Sequence, residues 1–222
     1  MKKLLFVFMA LLSFTFHSIG NCEDINIAKI KVWAENKGTE ILNILADKSS
    51  KEKYLALDKI LHEDVDLDYA ARFVVGRYWQ QMTEEQKQTY IPLFYRYVAA
   101  LYKSFPLDVP EGSITHKVEK IIPHNSDFEV FCSINFNQQK NSASDKNSQR
   151  IGVLFTLTIN DDKIMVRDLK IAESSLLLTY RSRFNKMIHQ DNDDEIEWFL
   201  EDLTAITEDK EHENEQKLMK PN

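Results

Sequence analysis

Asp66-Leu67-Asp68-Tyr69-Ala70-Ala71-Arg72-Phe73-Val74-Val75-Gly76-Arg77-Tyr78-Trp79, followed after three residues by Thr83-Glu84-Glu85-Gln86, is the stretch whose reading decides the fold. Apolar residues recur at Leu67, Ala70, Phe73, Val74 and Tyr78, which is helical spacing, and Asp66 or Asp68 can accept hydrogen bonds from the first free amides. The run stops around Trp79–Met82. Thr83 and Gln86 then have the form of a capping box, and a second helix carries Tyr90, Ile91, Phe94, Tyr97, Val98, Leu101 and Tyr102. Two helices with so many aromatics and no reactive-looking polar residue read as a wall, not as a reaction centre.

Before this pair, Ile27, Ile30, Ala34, Ile41 and Leu45 form a helical stripe weakened by Gly38, and Tyr54, Leu57, Ile60 and Leu61 mark a second short helix. After Pro110-Glu111-Gly112 the apolar period changes from helical to alternating. Ser113–Ile122, Asp127–Asn137, Arg150–Asn160 and Lys163–Ala172 are expected as four antiparallel strands. Pro123–Ser126, the polar tip Gln138–Gln149 and Asn160–Asp162 connect them, and the tip is expected to be mobile. Ser174 or Ser175 caps a helix striped by Leu176, Leu177, Tyr180, Phe184, Met187 and Ile188, and Glu195–Ile206 forms a last amphipathic helix. The expected fold is α+β, a four-stranded antiparallel sheet packed with N- and C-terminal helices. Residues 207–222 lack an apolar face and are expected to be a disordered charged tail.

Residues 1–20 read as a secretory signal peptide. Lys2 and Lys3 precede an uncharged apolar run from Leu4 to Phe16, and Ser18-Ile19-Gly20 offers small residues for cleavage near Gly20. The run is shorter than the roughly 20 residues a span needs. The expected mature domain is therefore 21–206, exported. Cys22 leaves lipidation, pairing with Cys132, or plain burial of Cys132 open. The 222-residue chain has a net charge of −7, and loss of Lys2 and Lys3 lowers it to −9, which disfavours nucleic acid and anionic membrane surfaces as partners.

A search for reactive groups yields little. Histidines 62, 116, 124, 189 and 212 include no pair at the i, i+4 spacing of a helical metal site, and neither a Gly-rich phosphate loop nor a Gly-x-Ser-x-Gly elbow occurs. No enzyme activity, metal or cofactor is expected. An exported hydrolase would need an unrecognised carboxylate pair. What the chain does have is thirteen Phe, eight Tyr and three Trp, which could fill an ordinary core, as in an interaction or chaperone module, or line an apolar cavity. Periodicity leaves both open.

The first motif, Asp66-Leu67…Arg72…Gly76-Arg77-Tyr78-Trp79…Thr83-Glu84-Glu85-Gln86…Phe94…Tyr102, resembles the opening motif of the toluene-tolerance family, to which the periplasmic phospholipid-binding protein of the Mla pathway belongs. A second motif, Val166-Arg167-Asp168-Leu169-Lys170-Ile171-Ala172-Glu173-Ser174-Ser175-Leu176 with Tyr180-Arg181-Ser182-Arg183-Phe184, is similar to the family's strand, tight turn and Tyr-Arg-Ser-x-Phe helix. The family usually has Trp where Ile164 stands and Gly where Glu173 stands, so the turn into the helix could differ here. The resemblance implies a monomeric carrier without cofactor, its cargo a diacyl phospholipid whose tails lie in an apolar cavity between sheet and helices. The implied partners are an outer-membrane lipoprotein–porin complex and an inner-membrane MCE-protein transporter, and the implied role is outer-membrane lipid asymmetry. Phe73, Val74, Phe94, Val98, Val153, Phe155, Leu176, Tyr180 and Phe184 are the expected lipid-binding residues. Arg181 is the expected head-group or rim residue, with an ordinary ion pair as the alternative.

Overall fold

A computed structural model describes residues 22–46, 50–104, 109–110, 112–136 and 149–219. The expected signal peptide and nearly all of the expected polar tip lie outside the described residues. The helices are α1 (Cys22–Ala46), α2 (Ser50–Asp64), α3 (Leu67–Val75) with a 3₁₀ turn over Gly76–Gln80, and α4 (Glu84–Lys103). Strands β1 (Ile114–His124), β2 (Asp127–Phe136), β3 (Gln149–Asn160), β4 (Lys163–Ile171) and β5 (Ser174–Ser175) follow, then α5 (Leu176–Lys186), a π-helical turn at Met187–Asp191, and α6 (Ile196–Met219).

The caps form where the sequence places them. Asp66 accepts from the Tyr69 amide, and Thr83 and Gln86 satisfy each other's backbone amides reciprocally at the start of α4. Ser175, rather than Ser174, caps α5 by accepting from the Leu178 amide. The helix α4 runs on through Pro92, which lies on its exposed side.

All strand pairs are antiparallel, in the order β1-β2-β3-β4-β5. The sheet thus has five strands, not four, because the chain turns back after Ile171 and pairs Ser174 with Ile171 and Ser175 with Lys170. That turn uses Ala172 and Glu173 at φ +49° and +67°, so the position where the family favours Gly keeps a left-handed backbone with Glu in place. Asp161 and Asp162 make a similar pair of left-handed residues between β3 and β4. The first connection is shorter than expected. Strand β1 continues through Pro123 and His124, leaving Asn125-Ser126 as the turn. A proline is tolerated there because β1 is an edge strand and its free side needs no amide.

Two separate apolar clusters result. The larger lies among the helices and holds Leu67, Ala71, Val74, Tyr90, Phe94, Tyr97, Phe184, Phe199 and Leu203, all buried. The smaller lies between α1 and one sheet face, where Ile30 packs on Val118, Phe128, Val130, Leu157 and Ile164. Gly38 is what lets α1 come so close to β1. A Cβ there would stand 2.3 Å from the His116 ring, so the glycine that weakens the helix secures its docking.

The expectation for 207–222 is overturned. The helix α6 continues to Met219 with Thr207 and Asn214 buried. Asn214 donates to the Ala100 carbonyl at 2.9 Å, and Arg96 grips Glu211 with two hydrogen bonds of 3.1 and 2.6 Å. Polar side chains that find partners on α4 take the place of an apolar stripe. Only 220–222 remain outside the described residues.

Candidate functional site

Beside α3 lies an open groove of about 820 Å³, lined by Asp66, Asp68, Tyr69, Arg72, Phe73, Gly76, Arg77, Gln80, Arg167 and Arg181. The junction of α3 with β4 builds its floor. The Asp66 amide donates to the Val166 carbonyl at 2.9 Å, next to a parallel bridge between Val65 and Val166. Arg167 then spans the junction, reaching Asp66 at 3.2 Å and Asp127 at 2.8 Å while its guanidinium covers the Tyr69 ring at 4.7 Å.

The other charges divide into two kinds. Arg77 donates to the Tyr78 hydroxyl at 2.8 Å and stands 3.9 Å from Asp194. Asp68 accepts from the Tyr95 hydroxyl at 2.7 Å, and burial together with this bond pushes the Tyr95 hydroxyl well up from its ordinary range. Arg72 and Arg181 are different. Arg72 lies over the Trp79 ring at 5.5 Å and Arg181 over Phe73 at 4.9 Å, and among the described residues neither forms an ion pair. Gly76 at φ +57° makes the seat for Arg181, since a Cβ there would meet the guanidinium at 2.9 Å.

The expected lipid-binding residues do not share one place. Val74, Phe94 and Phe184 are buried in the interhelical cluster, with Phe94 edge-on to Phe184 at 6.1 Å. Val98 and Tyr180 are half-buried at its margin, Tyr180 edge-on to Tyr97 at 6.2 Å. On the sheet, Val153 is buried and pairs with Cys132 and Ile171, and Phe155 is half-buried at the edge of the smaller cluster. Phe73 stacks on Tyr69 at 5.8 Å in the groove, and Leu176 is 39% exposed. Cys132 is a free, half-buried thiol pushed up to about 11 by burial, with Glu119 adding to the shift.

Of the groove arginines, only Arg181 is singled out by the sequence, as a rim residue, while Arg72 and Arg77 stand in it as parts of the first motif. Arg167 went unremarked beyond its motif. Each has an aromatic neighbour in the groove or beside it, yet Arg167 and Arg181 come from elements about a hundred residues beyond α3. Asp168 is structural. Its carboxylate accepts from the Leu177 amide at 3.1 Å and fixes the start of α5.

A family model, described as MlaC protein, matches residues 35–205. The chain belongs to the MlaC family. This agrees with the resemblance carried by the two motifs, and the match ends inside α6, so the last turns of that helix lie beyond the MlaC region. A solved structure with the same fold is the phospholipid-binding protein from Ralstonia solanacearum in complex with a phospholipid, at 17% identity and a TM-score of 0.61, covering 80% of this chain and 97% of that one. No curated protein matches in sequence.

Proposed function

We propose that this MlaC-family chain is a periplasmic phospholipid carrier, a binding protein and not an enzyme. It takes a diacyl phospholipid between an outer-membrane lipoprotein–porin complex and an inner-membrane MCE-protein transporter and so maintains lipid asymmetry. The family match over residues 35–205 carries this reading. The fold shared with a protein solved in complex with a phospholipid supports it.

The packing supports it as well. Two acyl chains of about 30 methylenes need on the order of 24 kcal/mol of apolar shelter. The two apolar clusters are separate, and both have half-buried margins: Val98, Leu101, Leu177 and Tyr180 on the helices, Cys132, Phe155 and Val166 on the sheet. Acyl chains laid between these margins would complete the burial of both. Fully packed residues such as Phe94 and Phe184 would then hold the helical wall rigid rather than touch lipid.

Native mass spectrometry of the purified mature protein tests the reading. Co-purified phospholipid is the expected result, at one per chain. Protein that emerges empty and takes up no lipid from vesicles would overturn it.

A further inference from the structure

Arginines in a folded protein usually find a carboxylate, and this chain, with 35 acids against 28 bases, offers an excess of them. In the groove beside α3 the carboxylates of Asp66 and Asp68 nevertheless pair with neither Arg72 nor Arg181 among the described residues. Asp66 is held by Arg167 and by the Tyr69 amide. Asp68 is bonded to Tyr95, and Asp194, outside the groove, is shared by Tyr78, His189 and Arg77. Arg72 and Arg181 remain, each laid on an aromatic face that fixes its plane and leaves its donors to the groove. Arg181 is half-buried, and among the described residues its guanidinium has no protein acceptor. The glycine at 76, which the left-handed backbone there calls for, also leaves the guanidinium free to lie against the chain, 2.9 Å from where a Cβ would stand.

We propose that this groove is an oxyanion site for a phosphate group, with Arg72 and Arg181 as the two forks that bind it and Arg77 and Arg167 as the anchored frame. Planar guanidinium forks match phosphate oxygens two at a time, and a preset plane reduces the entropy lost on binding. The phosphate has two possible sources, the head group of a carried phospholipid or a free phosphate. The head-group version deepens the carrier reading and rests on it; the free-phosphate version does not.

The test uses the mature protein, the single variant Arg72→Gln, the double variant Arg72→Gln/Arg181→Gln, and Arg181→Lys as a charge-keeping control. In the first arm, delipidated protein is titrated with inorganic phosphate while the arginine Nε–H signals are followed by NMR. Wild type should shift the Arg72 and Arg181 signals saturably, and the double variant should bind at least about tenfold more weakly. In the second arm, loading from vesicles is compared for phosphatidylglycerol and a diacylglycerol of the same chains, which lacks the phosphate. A wild-type preference for phosphatidylglycerol that shrinks in the double variant, while diacylglycerol loading holds, assigns the head group as source. A phosphate titration lost in the double variant with lipid preference unchanged assigns free phosphate. An unchanged result in both arms overturns the site. If wild type loads neither lipid, the carrier reading fails, and the phosphate titration still decides the groove. Should the double variant unfold, Arg72→Gln alone must lower phosphate affinity several-fold, because Arg72 is exposed and its loss leaves the core intact.

Discussion

The two apolar clusters differ in how completely they close. Among the helices, aromatic rings meet tilted or edge to face: Phe184 lies 5.5 Å from Tyr97, 5.6 Å from Phe199 and 6.1 Å from Phe94. Among the described residues eighteen are buried there, against six between α1 and the sheet, although the sheet contributes four long strands. A close-packed interior has no room for a ligand, whereas a sheet face with a half-buried margin does. The contrast assigns most of the structural work to the helices and leaves the half-buried margins, the sheet's above all, as the place where cargo can complete a core.

The largest expected effect is in the helical cluster. Phe184→Ala should cost about 3–5 kcal/mol in urea unfolding, the range for a buried phenyl removed from a filled site. A cost below about 1 kcal/mol would mean the cluster adapts like a cavity wall and would erase the contrast. On the sheet side, Val153→Glu should leave circular dichroism native and strip the protein of lipid, because a carboxylate beside acyl chains must be desolvated or protonated at several kcal/mol. An unfolded variant would show the sheet core to be as filled as the helical one. A folded, lipid-loaded variant would place the cargo elsewhere. Leu176, 39% exposed, is too open for the same test.

Much of this architecture is legible in the sequence, since local signals specify it. The Asp66 cap, the Thr83–Gln86 box and the alternation along β2 and β3 each depend on a few neighbouring residues. What escapes is whatever depends on partners far along the chain. The last turns of α6 look like solvated charge until α4 supplies Ala100 and Arg96. Pro123 looks like a strand breaker until β1 proves to be an edge. The groove arginines stand at 72, 77, 167 and 181, and only the junction of α3 with β4 and α5 gathers them.

Deleting residues 207–222 should therefore lower stability by about 2 kcal/mol, mostly through the buried Asn214 hydrogen bond and the closing turns of α6, with the half-exposed Arg96–Glu211 pair adding little. A thermal midpoint unchanged by the deletion would mean that this helix end merely rests on the helical layer. A smaller gain is expected where the layers join. Glu173→Gly relieves a left-handed Glu between β4 and β5 and should stabilise by about 1 kcal/mol, net of the added chain freedom. Destabilisation instead would show that the Glu173 side chain holds the turn.

The smallest effect compares the acid sensitivity of the two layers. Asp194, in the helical layer, is held below the usual carboxylate range by the Tyr78 hydroxyl first and His189 second; Glu119, on the sheet, by Lys117 first and Ser133 second. Depressed folded values mean that each carboxylate contributes stability above its unfolded value, near 4, and loses it as the pH falls through the folded value. Both groups are solvent-facing, so salt screens them and the contributions are small. Asp194→Asn and Glu119→Gln should each lower stability slightly at pH 7, and the Glu119 variant should converge with wild type at pH 2–3 in unfolding measured across that window. Asp194 closes the turn into α6, with φ +66° and its amide bonded to the Ile188 carbonyl, whereas Glu119 sits at the β1 bulge beside the exposed Arg150. The Asp194 variant should therefore retain a deficit at low pH that the Glu119 variant lacks, since Asn keeps the backbone turn but loses the geometry shared with Tyr78 and His189. Equal convergence of both variants would show that Asp194 acts through charge alone and that the helical layer is no more tightly tied at its loops than the sheet.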